Sequence, residues 1–395
     1  MAILFISNVV PDSAEFHNAA FTRSGNNVVL GIANSLSETE DVTLITCRPI
    51  PSFPHGPLWI SGEETMLDSG RKVKILPMVN MTVLKNLFWG ISIYREVKKW
   101  AKEHANEDRR VLVYNIYTPP ISFLYRVCKK TSSKLFAILY DLGVPPKRLG
   151  LGWLRMKGYE AMEKVAKKYI PLLDGRIVIN ENIVNYYAPG RDYILVDGGV
   201  NKQVIDKLFP LLPSRSGNLV FVLAGMLWDQ NGTKLVLNTL EKYPDLDIDI
   251  YFAGKGNDVE LIEQKAKNDS RIHYVGMLNM EQLFRLYEKA DVLLNLRIEE
   301  KIDFHFPSKL LEYLATGKHV LSTPVAHAER DYGEYMTVLT DITPDGLASS
   351  INSIISIGKM EIFEKGRKAR KYILDKRNWK TRTDEIVEYM NSKLL

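Results

Sequence analysis

Cysteine is nearly absent: Cys47 and Cys128 are the only two in 395 residues. Two thiols build no disulfide framework, and their scarcity fits a reducing compartment. No apolar run approaches the roughly 20 residues that a membrane-spanning helix needs. The opening MAILFISNVVP is short and lacks a basic flank, so it reads as a first strand and not as a signal peptide. Seven histidines lie scattered without metal-ligand spacing, so no metal site is expected. Repeats of solenoid length are missing as well. Together these absences predict a cytoplasmic globular chain, either free in the cytoplasm or peripheral at the inner face of the membrane.

What is present is ordinary globular composition, 46% hydrophobic and 25% charged, in a chain long enough for two cores. The net charge of +5 is unevenly placed. Residues 1–200 carry 25 Lys and Arg against 19 Asp and Glu, whereas the remainder carries 27 against 28. A basic first half predicts an anionic partner there, such as a membrane surface or a phosphorylated acceptor. No recognised nucleic-acid motif appears, so nucleic acid is not the expected partner.

Short apolar runs alternate with amphipathic helical patterns throughout, which predicts parallel sheets covered on both faces. In the first half the runs are Ile3–Ile6, Val42–Thr46, Val73–Leu76, Val111–Tyr114, Leu135–Leu139, Gly175–Ile179 and Ile194–Val196. A second series comprises Leu219–Ala224, Ile248–Ala253, Ile272–Val275, Val292–Leu296, Val320–Ser322 and Thr337–Leu339. Between the two lies Leu211-Leu-Pro-Ser-Arg-Ser-Gly217, rich in turn formers. The expected class is α/β, with two doubly wound Rossmann-like domains facing a central cleft. Their predicted limits are residues 1–205 and 218–375, joined by a linker over 206–217. A terminal helix follows over 376–395.

One stretch, Phe306 to Lys318, organises the chemistry. Pro307 and Ser308 suit a helix start, Ser308 as an acceptor for an orphaned backbone N–H, and Gly317 suits a left-handed exit. The first-turn amides, the helix dipole and Lys309 make a phosphate site. Glu312 follows at i+3 on the same face, where a carboxylate can accept from a ribose diol. On local residues alone, an ordinary amphipathic helix with a solvated Lys–Glu pair describes the segment at least as well.

FPSKLLEYLATGK followed by HVLSTPV resembles the donor-site signature of retaining GT-B glycosyltransferases, most closely the large family-4 group. The resemblance implies that Glu312 holds the ribose of a UDP- or GDP-sugar donor. It further implies that the backbone at Ser308, Lys309, Leu310 and Leu311 meets the diphosphate, and that no separate cofactor is used. Gly225, the turn Ala253-Gly-Lys-Gly256 with Gly254, and Val275-Gly-Met-Leu278 are similar to the turns that pack around donor and base. Val196-Asp-Gly-Gly-Val-Asn201 and ILDKRNWKTRTDEIVEYM resemble two further family elements, the second being the terminal helix with an early Trp.

The chain also departs from the family pattern. Where relatives place an Arg and a Lys to grip the diphosphate, Met226 and Asn231 stand. Asn231 offers one neutral hydrogen bond, and charge-assisted bonds to phosphate are roughly twice as strong. Lys309, Arg297, Lys301 and His305 are the nearby replacements, the last three on a charged loop that also reads as a plain solvated connection. A family glutamate near the reacting carbon is matched by Phe304, which leaves Asp303 or His305 to serve. In the first half, Gly25 with Asn26 and Asn27 is expected to cradle an oxyanion ahead of a helix, with a plain helix start as the rival reading. Tyr140 and Asp141 stand where the family orients an acceptor hydroxyl, although Asp141 equally suits a turn cap.

The helix over Asn86–Glu103 mixes aromatics with lysines; a core-facing role is the larger expectation and a membrane-surface role the smaller. The resulting expectation is a retaining, metal-independent hexosyltransferase-like enzyme acting on a glycan or lipid-linked acceptor in polysaccharide or glycoconjugate synthesis. The rival is a GT-B partner or binding subunit that has lost its cations.

Overall fold

A computed structural model describes residues 1–11, 23–67, 69–82, 84–116, 120–140, 153–208, 217–298 and 304–393. These divide into two compact units, Met1–Gly199 with Trp379–Leu395, and Val200–Asn378. The division falls at Gly199, ahead of the limit at 205 read from composition, because residues after Val200 fold with the second unit. The segment expected to start the linker at 206 is instead helical as far as Leu208.

The first unit contains strands β1 (Ala2–Ser7), β2 (Asp41–Thr46), β3 (Trp59–Ile60), β4 (Glu63–Met66), β5 (Lys72–Ile75), β6 (Met78–Val79), β7 (Arg109–Tyr114), β8 (Lys134–Leu139), β9 (Gly175–Val178) and β10 (Ile194–Leu195). Eight of them form one sheet in the order β10-β9-β8-β7-β1-β2-β5-β4. All its pairings are parallel except β4 on β5, an antiparallel edge that the sequence pattern did not disclose. β3 and β6 pair separately as a small antiparallel ribbon. The central strands are buried on both faces, Ile3 to Ile6 completely, which is why they read as continuous apolar runs.

Helices α1 (Arg23–Thr39), α2 (Lys85–Glu103), α3 (Ile121–Thr131), α4 (Trp153–Tyr169) and α5 (Asn182–Tyr187) connect these strands. One apolar face of α2 packs on the core, with Trp89, Ile93, Val97 and Trp100 all buried, while Leu87 in its first turn stays exposed.

The second unit begins with helix α6 (Lys202–Leu208) and contains strands β11 (Leu219–Met226), β12 (Ile248–Lys255), β13 (Ile272–Tyr274), β14 (Val292–Asn295), β15 (His319–Ser322) and β16 (Thr337–Val338). They form an all-parallel sheet in the order β13-β12-β11-β14-β15-β16. The chain moves outward from β11 to β13, then restarts on the other side of β11 at β14. The carboxyl ends of β11 and β14 therefore flank the switch point where such sheets bind ligands. Helices α7 (Thr233–Lys242), α8 (Val259–Ala266), α9 (Met280–Lys289), α10 (Ser308–Thr316), α11 (Ala328–Tyr332) and α12 (Pro344–Lys376) cover it. A core of Phe221, Phe252, Leu240, Ile250, Leu294 and Leu347 lies beneath.

The last helix, α13 (Trp379–Asn391), belongs to the first unit and packs on α1. A Cβ on Gly31 of α1, or on Gly199, would collide with the indole of Trp379. Both glycines are thus explained by the room that one ring needs.

Candidate active site

Helix α10 starts at the switch point of the second unit. Its N-cap is Pro307, in extended conformation, and no side chain caps the helix. The capping role read for Ser308 is not realised; Ser308 is the first helical residue. The Leu310 amide donates to the Pro307 carbonyl at 2.8 Å, so this member of the expected phosphate-facing backbone is already engaged. The amides of Ser308 and Lys309 have no backbone acceptor among the described residues. The side chains of Leu310 and Leu311 are buried and fix the helix on the sheet. Gly317 closes it in the left-handed conformation at φ 79°, with its amide on Leu314 O.

Lys309 does not extend into solvent. Its ammonium donates to the carbonyl of Ala224 at 2.9 Å, at the end of β11. That approach depends on Gly225, whose φ of 129° suits only glycine and whose missing side chain leaves the space the Lys309 Nζ occupies. Tyr313, one turn further along, donates to the same carbonyl at 3.3 Å. Burial lowers the Lys309 pKa, and the nearby Glu312 carboxylate pulls the other way. Glu312 retains solvent access although protein surrounds it closely. That crowding raises its carboxyl pKa, partly offset by Lys309. Burial likewise pushes the Tyr313 hydroxyl up to about 12, so it stays a neutral donor.

The turn after β11 is a second cationic element. The Asn231 amide group donates to Met226 O at 2.6 Å, and its oxygen accepts from Arg297 Nη1 at 3.0 Å. The side chain read as a direct phosphate donor is therefore a latch that carries a guanidinium to the turn. The loop after β14 is tied there through its backbone too, Ile298 N donating to Gln230 O at 2.8 Å and Arg297 N to Thr323 Oγ1 at 2.9 Å.

Gly254 sits beside this group at φ 137°, where a Cβ would strike the Gly225 carbonyl. Its amide donates to Gly276 O at 2.8 Å, joining the ends of β12 and β13. Val275, half-exposed just past β13, donates to Phe252 O at 3.0 Å. The sheet thus brings Gly225, Asn231, Lys309, Arg297 and Gly254 to one edge of the second unit, with Glu312 on the next turn of α10.

Other expected residues fall elsewhere. His305 is exposed, between buried Phe304 and Phe306. Asp303, Lys301 and Asp141 lie outside the described residues. Gly25 stands inside the first turns of α1, not on a loop ahead of it. The side chain of Asn26 is buried, accepting from the Val10 amide and donating to the Val10 carbonyl, both at 3.1 Å. Tyr140 is buried and its hydroxyl donates to Val196 O, so it is structural and not aimed at an acceptor. Sequence reasoning missed Tyr313, although its i+4 spacing from Lys309 places both on one helix face.

Residues 218–356 match the family described as glycosyl transferases group 1. Over the whole chain, similar solved structures include a glycosyltransferase from Rickettsia africae, with a TM-score of 0.66, 14% identity and coverage of 100% of this chain and 98% of that one. Anabaena HepE in complex with UDP gives 0.64 and 14%, covering 99% and 100%. Sucrose-phosphate synthase from Thermosynechococcus elongatus gives 0.63 and 15%, covering 99% of each chain. Among the curated proteins no sequence relative is found. The chain has the GT-B fold, and its second unit carries the group 1 match.

Proposed function

We propose that this protein is a retaining, metal-independent glycosyltransferase that moves a sugar from a UDP- or GDP-sugar to a glycan or lipid-linked acceptor. Surface polysaccharide or glycoconjugate synthesis is the setting that such an acceptor implies. The observation that carries the reading is the convergence of Lys309 on the end of β11, next to a glycine that admits its ammonium. A diphosphate at that edge meets the Lys309 cation, the free Ser308 and Lys309 amides and the positive end of α10. Arg297, latched by Asn231, supplies the second positive group that Met226 does not. Glu312, one turn on, takes the ribose hydroxyls.

In the reaction the bond from the sugar's anomeric carbon to the diphosphate oxygen breaks, and a bond to the acceptor oxygen forms on the same face. The acceptor's proton passes to the departing diphosphate, whose growing charge the cations and amides stabilise.

Titration calorimetry with UDP, GDP and their sugars tests this reading. Micromolar to millimolar binding of one nucleotide diphosphate, weakened in Glu312→Ala, supports it, as does slow donor hydrolysis lost in Lys309→Ala. A protein that binds none of these ligands is a partner subunit, and the enzymatic reading fails.

A further inference from the structure

The first unit exposes an apolar set that its core does not explain. Phe53, Leu58, Trp59, Met81, Leu84 and Leu87 are each between 38% and 59% exposed. They come from the loop before β3, from β3 itself, from the connection between β6 and α2, and from the first turn of α2. Disorder does not account for the exposure, because the backbone beneath is tightly held. Buried Asn80 donates from its side chain to Pro51 O at 2.7 Å and Pro57 O at 2.9 Å. Its backbone bonds Phe53 N at 2.9 Å and Leu58 O at 2.7 Å. Lys85 ties the helix start to Ile50 O at 2.8 Å. A rigid scaffold thus holds large apolar side chains in water, which marks an interaction surface.

A basic stripe continues from this tip along α2. Leu87, Ile91, Arg95, Lys98 and Lys102 fall on one face at helical spacing. Arg95, Lys98 and Lys102 have no acidic partner among the described residues, whereas both acids of α2 are neutralised, Glu96 by Lys74 at 2.6 Å and Glu103 by Lys99 at 3.7 Å. By contrast, Arg110 and Arg176 are buried and structural, so the positive surplus of this half does not rest on them.

We propose that this surface docks on an anionic lipid bilayer, with the Phe53–Trp59 loop, the ribbon and the start of α2 inserted among the headgroups. The stripe of Arg95, Lys98 and Lys102 then lies along the lipid phosphates. Apolar tips with an amphipathic Trp at their centre suit the interface, and uncompensated cations beside them match anionic headgroups. The inference does not rest on the glycosyl-transfer reading.

Co-sedimentation of the full chain with vesicles tests it. Vesicles of phosphatidylcholine containing about a third phosphatidylglycerol should bind about tenfold more tightly than pure phosphatidylcholine, and added salt should erase the difference. Leu58→Ser with Trp59→Ser should reduce binding to both vesicle types. Arg95→Glu with Lys98→Glu and Lys102→Glu should abolish only the preference for the anionic ones. Brominated lipids should quench Trp59 emission, and Trp59→Phe should lose that quenching while still binding. Equal circular dichroism of all variants guards against misfolding. Binding indifferent to these substitutions overturns the proposal, as does a concentration-dependent dimer in sedimentation velocity that the Leu58→Ser, Trp59→Ser variant dissociates.

Discussion

Replacing Lys309 by Met separates ligand binding from folding. The side chain is half-buried, and its ammonium has one neutral acceptor, Ala224 O, that Tyr313 already shares. Methionine has nearly the same length, and a half-desolvated cation contributes little to folding. Stability is therefore expected to change by less than about 1 kcal/mol. The loss of a charge-assisted bond to diphosphate should cost about 1.5–3 kcal/mol, which is roughly 10- to 150-fold in Kd. Calorimetry of the nucleotide diphosphate that the wild type binds, paired with urea unfolding, reads both quantities.

The same site sets a pH dependence. Burial lowers the Lys309 pKa, so the folded state carries a penalty for the charged form that disappears as pH rises from the lowered pKa towards the ordinary lysine value of 10.5. Stability should rise over that window in the wild type and stay flat in Lys309→Met. Affinity for diphosphate should fall over it, because binding needs the proton. Unchanged affinity in Lys309→Met, with stability intact, would refute the placement of the leaving group at the mouth of α10.

Three further outcomes follow from the geometry. Asn231→Ala and Arg297→Ala should each weaken nucleotide diphosphate binding by about three- to tenfold, and the double variant should lose little more, since one residue acts through the other; additive losses in calorimetry would mean the two act separately. Gly31→Ala, which in an ordinary helix interior gains stability, should instead cost about 1–3 kcal/mol through collision with the Trp379 ring, and Trp379→Ala should remove that specific penalty in urea unfolding. Burial pushes the His319 pKa down to about 4, so its contribution to stability is full above the ordinary value of 6.5 and is lost as pH falls towards 4. The loss should be on the order of 3 kcal/mol, and unfolding titrations at pH 7, 5 and 4 should show it in the wild type and not in His319→Leu.

The fold was largely legible because its information is local. Ile3–Ile6, Leu135–Leu139 and Val292–Leu296 are apolar runs of strand length, and burial on both faces produces that pattern without help from distant residues. The sequence was silent where pairing is weak or short: β3, β4 and β6 are two to four residues long, and three of the four residues of β4 are polar. A strand that short has no period to read.

The site was legible as a set of residues and not as a set of roles. Glycine at 225 and 254, and the i+3 spacing of Lys309 and Glu312, are properties of the chain itself, fixed by turn conformation and helix geometry. Which atoms remain free for a ligand is a tertiary matter. Tyr140 and Asn231 carry the right polar groups, yet Val196, Met226 and Arg297 claim them, and those partners come from up to 66 positions away along the chain. A hydrogen bond is settled within about 3 Å, so spacing along the chain selects the candidates, and packing alone decides which are left to meet a substrate.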